Sequence, residues 1–212
     1  MRNARTLAAV VVVGAVSVMM AGCRVDTHKE GDHENVKIAT PFGGLSVKTD
    51  GSEVQQGVGL SAYPGAVPVK KQKDHDSGAA DFNMNFGSFH LGVKALSYQT
   101  SDQPDKVLAF YRQDMARYGV VILCHHDRPV GTPTSTQDGL TCDDNDRHEV
   151  KIYKKDSSDG DGNDLKAGSK RHQHIVGIEP KDGGTKIGLV SLDLPGHVDF
   201  DSEGDKDKSD RQ

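Results

Sequence analysis

Residues 96–123 read LSYQTSDQPDKVLAFYRQDMARYGVVIL, and this stretch decides the fold. Pro104 suits the first turn of a helix that Ser101 or Asp102 can cap. Gly119 is a natural left-handed terminator for the same helix. The large apolar residues between these signals recur at helical spacing: Val107, Leu108, Tyr111, Met115 and Tyr118, with Phe110 beside them. The stretch therefore predicts an amphipathic helix, followed by a buried strand over residues 120–123.

The residues before this helix predict strands. Large apolar residues occupy every second position, first at Phe82, Met84 and Phe86 and then at Phe89, Leu91 and Val93. The next apolar residues, Leu96 and Tyr98, are one position out of phase. Because a phase change within a strand is typical of an inserted residue, we expect a bulge or bend near residues 94–95.

Further strands are expected on both sides of this region. Residues 36–47 alternate apolar and polar around a Pro/Gly turn at 40–44, which predicts a hairpin, and the glycine-rich residues 50–60 resemble a linker. Strands are also expected at residues 149–153, 174–178 and 185–192. Together these patterns predict an α+β domain over residues 36–195, with one helix packed on a mostly antiparallel sheet. Residues 36–60 would form its N-terminal hairpin and linker.

The first 22 residues have the order of a bacterial lipoprotein signal peptide. Arg2 and Arg5 precede an apolar stretch over residues 7–21, which is too short to span a bilayer as a helix. The small residues before Cys23 resemble the lipobox. That resemblance implies cleavage before Cys23 and acylation of its thiol by chains such as palmitate. In bacterial lipoproteins an Asp after the cysteine can retain the protein in the inner membrane, so the resemblance, with Arg24 at that position, implies the outer membrane rather than the inner. The alternatives are an ordinary secretory signal that ends near a cysteine and a buried N-terminal helix.

Two polar segments flank the expected domain. Residues 23–35 contain few apolar groups and predict a tether that lifts the domain off the lipid surface. Residues 196–212 are almost entirely charged residues, Gly and Ser, so we expect a disordered tail.

Three motifs in chain order carry a resemblance to a family. They are the turn Tyr63-Pro64-Gly65-Ala66, the helix start Thr100-Ser101-Asp102-Gln103-Pro104 and the helix motif Val107 with Phe110-Tyr111. The chain resembles a recurring family of uncharacterised bacterial envelope proteins and lipoproteins that share a YPGA turn and a T-x-D-x-P helix start. These motifs are structural, so the resemblance implies an envelope domain and no active site.

Cysteine usage fits an oxidising compartment. The chain has three cysteines, and if Cys23 carries lipid, Cys124 and Cys142 remain to pair. The loop they would close is rich in Gly, Pro, Thr and Asp and cannot easily pack by itself. A structural disulfide is therefore expected, and a reactive Cys124 beside His125 and His126 is the alternative.

The chain contains ten histidines, which raises the hypothesis of a metal site. His172 and His174 would share one side of a strand, and three others lie near expected strand ends: His125, His126 and His148. Zn²⁺ or Cu²⁺ needs three or four such ligands converging on one point. A periplasmic protein that binds Zn or Cu is thus the alternative function. Histidines that only add polarity to the surface are the simpler interpretation.

Other chemical hypotheses are weaker. Residues 156–164 resemble a calcium loop, but Gly168 stands where a bidentate Glu is needed. Asp143, Asp144 and Asp146 could act as an acid–base pair, yet acids in such a loop are usually solvated. No nucleophile elbow, phosphate loop, dinucleotide fingerprint or zinc-protease motif occurs in the sequence. The apolar helix face could form a groove for a hydrophobic ligand, but it is more simply the core.

Composition limits the remaining function classes. Hydrophobic residues make up 34% of the 212 residues and the net charge is −5. That is enough for one small core, and the acidic balance does not favour a nucleic-acid binder. We expect a lipid-anchored cell-envelope protein that is a non-catalytic binding or structural module without a cofactor. Its partners would be the membrane, through the lipid, and another envelope protein.

Overall fold

The computed structural model describes residues 23–30, 33–69, 78–143 and 162–196. These residues contain one β-sheet and two α-helices. The strands are β1 (Arg24–Glu30), β2 (His33–Thr40), β3 (Gly43–Lys48), β4 (Val67–Pro68), β5 (Ala79–Phe86), β6 (Phe89–Thr100), β7 (Ile122–His125), β8 (Arg128–Pro129), β9 (Asn163–Gly168), β10 (His172–Lys181) and β11 (Gly184–Asp193). The helices are α1 (Gly51–Val58) and α2 (Pro104–Met115), and a 3-10 turn over Ala116–Tyr118 extends α2.

The strands form one sheet in the order β1-β2-β3-β5-β6-β11-β10-β9-β7-β8, and β4 pairs with β6. All of these pairings are antiparallel. At the centre, β6 and β11 pair continuously from Gly92 opposite Asp193 to Thr100 opposite Thr185. The expected α+β class with a mostly antiparallel sheet is confirmed. The described residues hold two helices, however, where one was expected.

Each helix begins at a recognisable signal. Asp50 caps α1, since its side chain accepts hydrogen bonds from the backbone N–H groups of Ser52 and Glu53 at 2.8 and 3.1 Å. Helix α2 starts with Pro104 as expected, but Gln103 occupies the cap position. Asp102, expected as a cap, instead accepts a hydrogen bond from the Tyr63 hydroxyl at 2.7 Å. This bond ties the start of α2 to the turn after α1.

The main core lies between the two helices and one side of the sheet, which we call the helix side. Tyr111 and Met115 of α2 are fully buried there, so the expected assignment of the apolar helix face to the core is confirmed. Phe110 and Tyr118 are partly buried against the same cluster. The fully buried strand residues beneath the helices are Leu165, Ala167, Val176, Ile187 and Leu189.

The opposite side of the sheet, which we call the apolar side, carries a second cluster. Its buried members are Leu91, Val93, Ile175, Val190 and Leu192, and Phe82, Met84, Phe89, Ala95 and Leu194 pack against them. These residues come from β5, β6, β10 and β11, except Leu194, which directly follows β11. By register, Val36, Ile38, Leu45 and Val47 continue the same side across β2 and β3.

The expected bulge in β6 is wrong. Residues 79–86 of β5 pair with residues 89–96 of β6 without interruption, and β11 pairs continuously on the other edge. The apolar phase changes because different sides of β6 are buried at its two ends. Val93 faces the apolar side, whereas Leu96 and Tyr98 lie in the core under the helices.

Two N-terminal segments also differ from expectation. Residues 24–30, expected as a tether, form strand β1, which pairs with β2 from Arg24 opposite Ala39 onwards. Alternation of Val25 and Thr27 with Asp26 and His28 gives one apolar and one polar side, which suits an edge strand. The expected linker contains α1, whose Val54 and Val58 are fully buried. The hairpin at residues 36–47 and the turn at Pro64-Gly65 are present as expected.

Several expectations fall outside the described residues. They are the signal peptide over residues 1–22, the strand at residues 149–153, most of the calcium-like loop and the tail from residue 197 onwards.

Candidate functional site

Cys23 lies at one end of the sheet, which we call the Cys23 end. It is exposed, is not in a disulfide and directly precedes Arg24, the first residue of β1. Arg24 pairs with Ala39, so the β2–β3 turn at Pro41-Phe42 lies at the same end. The β5–β6 turn at residues 87–88 also lies there, because the Gly87 N–H donates to the Phe42 carbonyl at 3.3 Å.

Exposed apolar side chains gather at this end, close to Cys23. Val25, Phe42 and Phe86 are 62%, 84% and 43% exposed, and we call them the apolar corner. Gly43 allows β3 to approach β5 closely at this point, because a Cβ there would lie 2.0 Å from the Asn85 carbonyl oxygen and 2.6 Å from Cδ1 of Phe86. The β2–β3 turn is also held by the Thr40 hydroxyl, which donates to the Gly43 carbonyl at 2.8 Å.

The helix side is polar beside the helices, and part of this polar surface contacts them, since Lys48 forms an ion pair with Glu53 of α1 at 2.8 Å. Two rows of residues cross seven strands by direct register. The first row is His28, Asn35, Lys48, Asp81, Lys94, Ser191 and His174, and the second is Asp26, Lys37, Ser46, Asn83, Gly92, Asp193 and His172. At the usual spacing of about 4.8 Å, seven strands make a surface about 29 Å wide. We call these two rows the polar rows.

The second polar row brings two histidines and a carboxylate together around Gly92. His172 Nδ1 lies 2.8 Å from Asp193 Oδ1, and both side chains are partly exposed. A Cβ at Gly92 would lie 3.3 Å from Asp193 Oδ2 and 3.6 Å from Nε2 of His90. The absence of a side chain at Gly92 therefore lets Asp193 and His90 both lie close to this point of β6. His90 was not singled out in the sequence, because only the strand register places it beside Asp193.

His174 is packed rather than open. Its ring stacks on Tyr118 with 3.6 Å between centroids, and the Arg117 guanidinium lies 5.1 Å from the centre of the Tyr118 ring. Burial is the main cause that lowers the pKa of His174. Its Nδ1 atom is buried and has no hydrogen-bond partner within the described ranges. This histidine mainly joins the 3-10 turn to β10.

His125 and His126 form a separate pair with 4.0 Å between ring centroids. His125 Nδ1 lies 3.2 Å from both the Gly162 carbonyl and Asn163 Oδ1. His126 and Asp127 have positive φ values, 49° and 59°, and form the tight β7–β8 turn. His125 is opposite Asn163 in β9, which is opposite Ile178 in β10. Because Ile178 is six residues from His172 along β10, the His125–His126 pair lies about 20 Å from His172.

The structure therefore brings the five predicted metal ligands together only in two pairs, and His148 lies outside the described residues. Within the described ranges, no group of three or more His, Cys, Asp or Glu side chains is arranged to hold a metal ion. Binding of Zn or Cu stays a prediction, which the metal content of the purified full chain would test.

Cys124 and Cys142 form the expected disulfide, with 5.5 Å between their Cα atoms. Both are buried with Ile122. The chain between them is held onto the sheet, since the Thr136 hydroxyl donates to the Gly168 carbonyl at 2.7 Å and Leu140 is fully buried. This disulfide therefore stabilises the part of the sheet around β7, near the edge opposite β1.

Polar contacts fix the two helices to each other. The Asp114 carboxylate accepts hydrogen bonds from the Ser61 backbone N–H at 3.0 Å and the Ser61 hydroxyl at 2.7 Å. The Tyr111 hydroxyl donates to the Ser61 carbonyl at 3.1 Å, and burial raises its pKa. The hydrogen bond from Tyr63, followed by that from Lys106, lowers the pKa of Asp102. These contacts serve the fold.

Comparison of the chain with protein-family models, curated proteins and solved structures found no match. Within the described ranges, no helix is long and apolar enough to cross a membrane. Function is therefore inferred from the residues of this chain alone.

Proposed function

We propose that this protein is a lipid-anchored cell-envelope protein whose sheet binds another envelope protein without catalysis. The observation that carries this proposal is Cys23, an exposed thiol directly before β1 and directly after a basic, apolar and small-residue sequence. Acyl chains on Cys23 would reach a membrane without disturbing any pairing in the sheet. The Cys124–Cys142 disulfide supports an oxidising compartment.

The polar rows are the proposed binding surface. Charges of both signs occur along them, as in Lys48, Asp81 and Lys94 on three successive strands. A surface of mixed sign suits a protein partner with its own pattern of charges, because a uniformly charged polymer would meet like charges as well as opposite ones. The rows also continue onto β1, beside the proposed anchor.

Anchoring is tested with the Cys23→Ala variant of the full chain expressed in bacteria. We expect labelled palmitate on the natural chain and no label on the variant. A natural chain without label, or equal labelling of both chains, would overturn the proposed lipid anchor.

Binding is tested in cells with a photo-reactive residue placed at Ser46 or Asn83 in the polar rows. The matched control is Asp182, which is exposed in the β10–β11 turn. We expect one adduct of defined mass from the two row positions and none from the control. Absence of adducts from both row positions would contradict binding by the polar rows.

A further inference from the structure

The apolar corner is unusual in how exposed it is. Phe42 is the most exposed large hydrophobic residue of the described ranges, and Val25 is the next. Apolar groups concentrated in one place on a surface mark a contact with another apolar phase. The apolar corner is therefore a candidate surface for contact with another apolar group or phase.

The two turns of the corner have no charge, although Val25 on β1 lies between Arg24 and Asp26, which form an exposed ion pair at 2.9 Å. Residues 39–47, which include the β2–β3 turn, contain no ionisable side chain, and neither do residues 82–89 around the β5–β6 turn. At the other end of the sheet, the β10–β11 turn contains Lys181 and Asp182. Uncharged turns that carry phenylalanine can enter the interface of a bilayer, where a charged turn would have to lose its hydration.

The position of Cys23 indicates that the apolar corner contacts a membrane. Val25 is two residues from Cys23 on the edge strand, and Phe86 lies three strand spacings away, a lateral distance of about 14 Å. No linker separates Cys23 from β1, so acyl chains attached there would hold the corner against the lipid surface. A partner protein could bind the corner only after the corner had separated from the lipid surface.

We propose that the apolar corner inserts into the interface of the phospholipid bilayer to which Cys23 is anchored. This inference rests on the proposed lipid anchor. The acyl chains supply most of the affinity, and the corner adds a second contact beside them that limits rotation of the domain about the anchor. The Cys23 end of the sheet then faces the membrane, and the polar rows, which cross the strands, run parallel to it.

The test uses tryptophan fluorescence, because the chain contains no tryptophan. Phe42→Trp is introduced into the lipidated full chain, which is reconstituted in vesicles of phosphatidylethanolamine and phosphatidylglycerol, with or without brominated acyl chains. Val67→Trp is the matched control, since Val67 is 52% exposed and pairs with Gln99 near the opposite end of β6. We expect blue-shifted emission and bromine quenching at position 42 only. Water-like, unquenched emission at both positions on vesicle-bound protein would overturn the inference.

A second set of variants separates the corner from the lipid anchor. In the unlipidated Cys23→Ala full chain, we expect Phe42→Ser with Phe86→Ser to lower vesicle partitioning at least about tenfold. The Val67→Ser control should leave partitioning unchanged. If the natural chain carries no lipid but Phe42→Trp in the Cys23→Ala chain is quenched, the anchor is wrong and the corner stands. If the lipidated chain binds while the double substitution changes no partitioning, the corner is wrong and the anchor stands.

Discussion

The two halves of the sheet differ in what stabilises them. The covered half, which comprises β6, β11, β10, β9 and β7, has the helices on one side and the disulfide-linked chain at its far end. The open half comprises β1, β2, β3 and β5. Its side chains in β3 are all only partly buried, whereas Leu165 and Leu189 of the covered half are fully buried. The covered half therefore carries most of the folding free energy, and the open half is free to present surfaces.

This difference predicts unequal costs for the same substitution. Leu189→Ala empties a fully buried site in β11 and should lower the free energy of unfolding by about 4 kcal/mol. Leu45→Ala removes the same atoms from a partly exposed site in β3 and should cost about 1 kcal/mol. Urea unfolding of the two full-length variants measures both values. Equal losses would show that the open half is covered as well.

The disulfide gives a second test on the covered half. Reduction should lower the free energy of unfolding by about 3 kcal/mol, because the bond closes a loop between residues 18 positions apart. The measurement is the urea midpoint with and without reductant. Cys23→Ser is the control, since Cys23 is not in a disulfide and its variant should respond to reductant as the natural chain does. An unchanged urea midpoint in reductant would show that the disulfide does not stabilise the covered half.

Asp114 tests how the helices are fixed over the covered half. Asp114→Ala removes two hydrogen bonds to Ser61 and should cost about 2 kcal/mol, because bonds to a charged acceptor are strong. A negative charge in the last turn of a helix is unfavourable because it faces the negative end of the helix dipole. The hydrogen bonds from Ser61 offset this cost at Asp114. Asp105→Ala, an exposed change in the first turn, is the matched control. Comparable unfolding curves for the two variants would argue against this role.

The smallest expected effect is a pH dependence from His174. Its pKa in the folded chain is lowered below 6.5, chiefly by burial, with Arg117 and His172 acting in the same direction and Asp193 against. The unfolded chain therefore binds the proton more readily, and stability is lost as the pH falls through 6.5 towards the folded value. His174→Phe keeps a ring against Tyr118 without titrating.

The measurement is the unfolding free energy of both chains at about pH 7 and about pH 5. We expect the His174→Phe chain to lose less stability on acidification than the natural chain. His126→Phe, at an exposed turn position, should lose as much as the natural chain does. If all three chains lose the same unfolding free energy on acidification, His174 does not cause the pH dependence.

Local signals in the sequence predicted much of this structure. Pro104 and Gly119 bracket the helix correctly, and the apolar residues of α2 are the core. Strand β1 escaped prediction because only Val25 marks its apolar side, and pairing with β2 stabilises it. Register also places His90 beside Asp193 and Phe42 beside Phe86, residues far apart in the chain. Such contacts follow from strand order, which the spacing of residues does not encode.

Strand β6 has a fixed length as a consequence of its burial on both sides. A residue inserted between Val93 and Leu96 would turn Leu96 and Tyr98 out of the helix-side core and bring Ser97 and Gln99 in. The same insertion would break the alignment with β5 on one edge and β11 on the other. We therefore expect changes in chain length to be tolerated at surface turns such as Asp182-Gly183 and not within this strand.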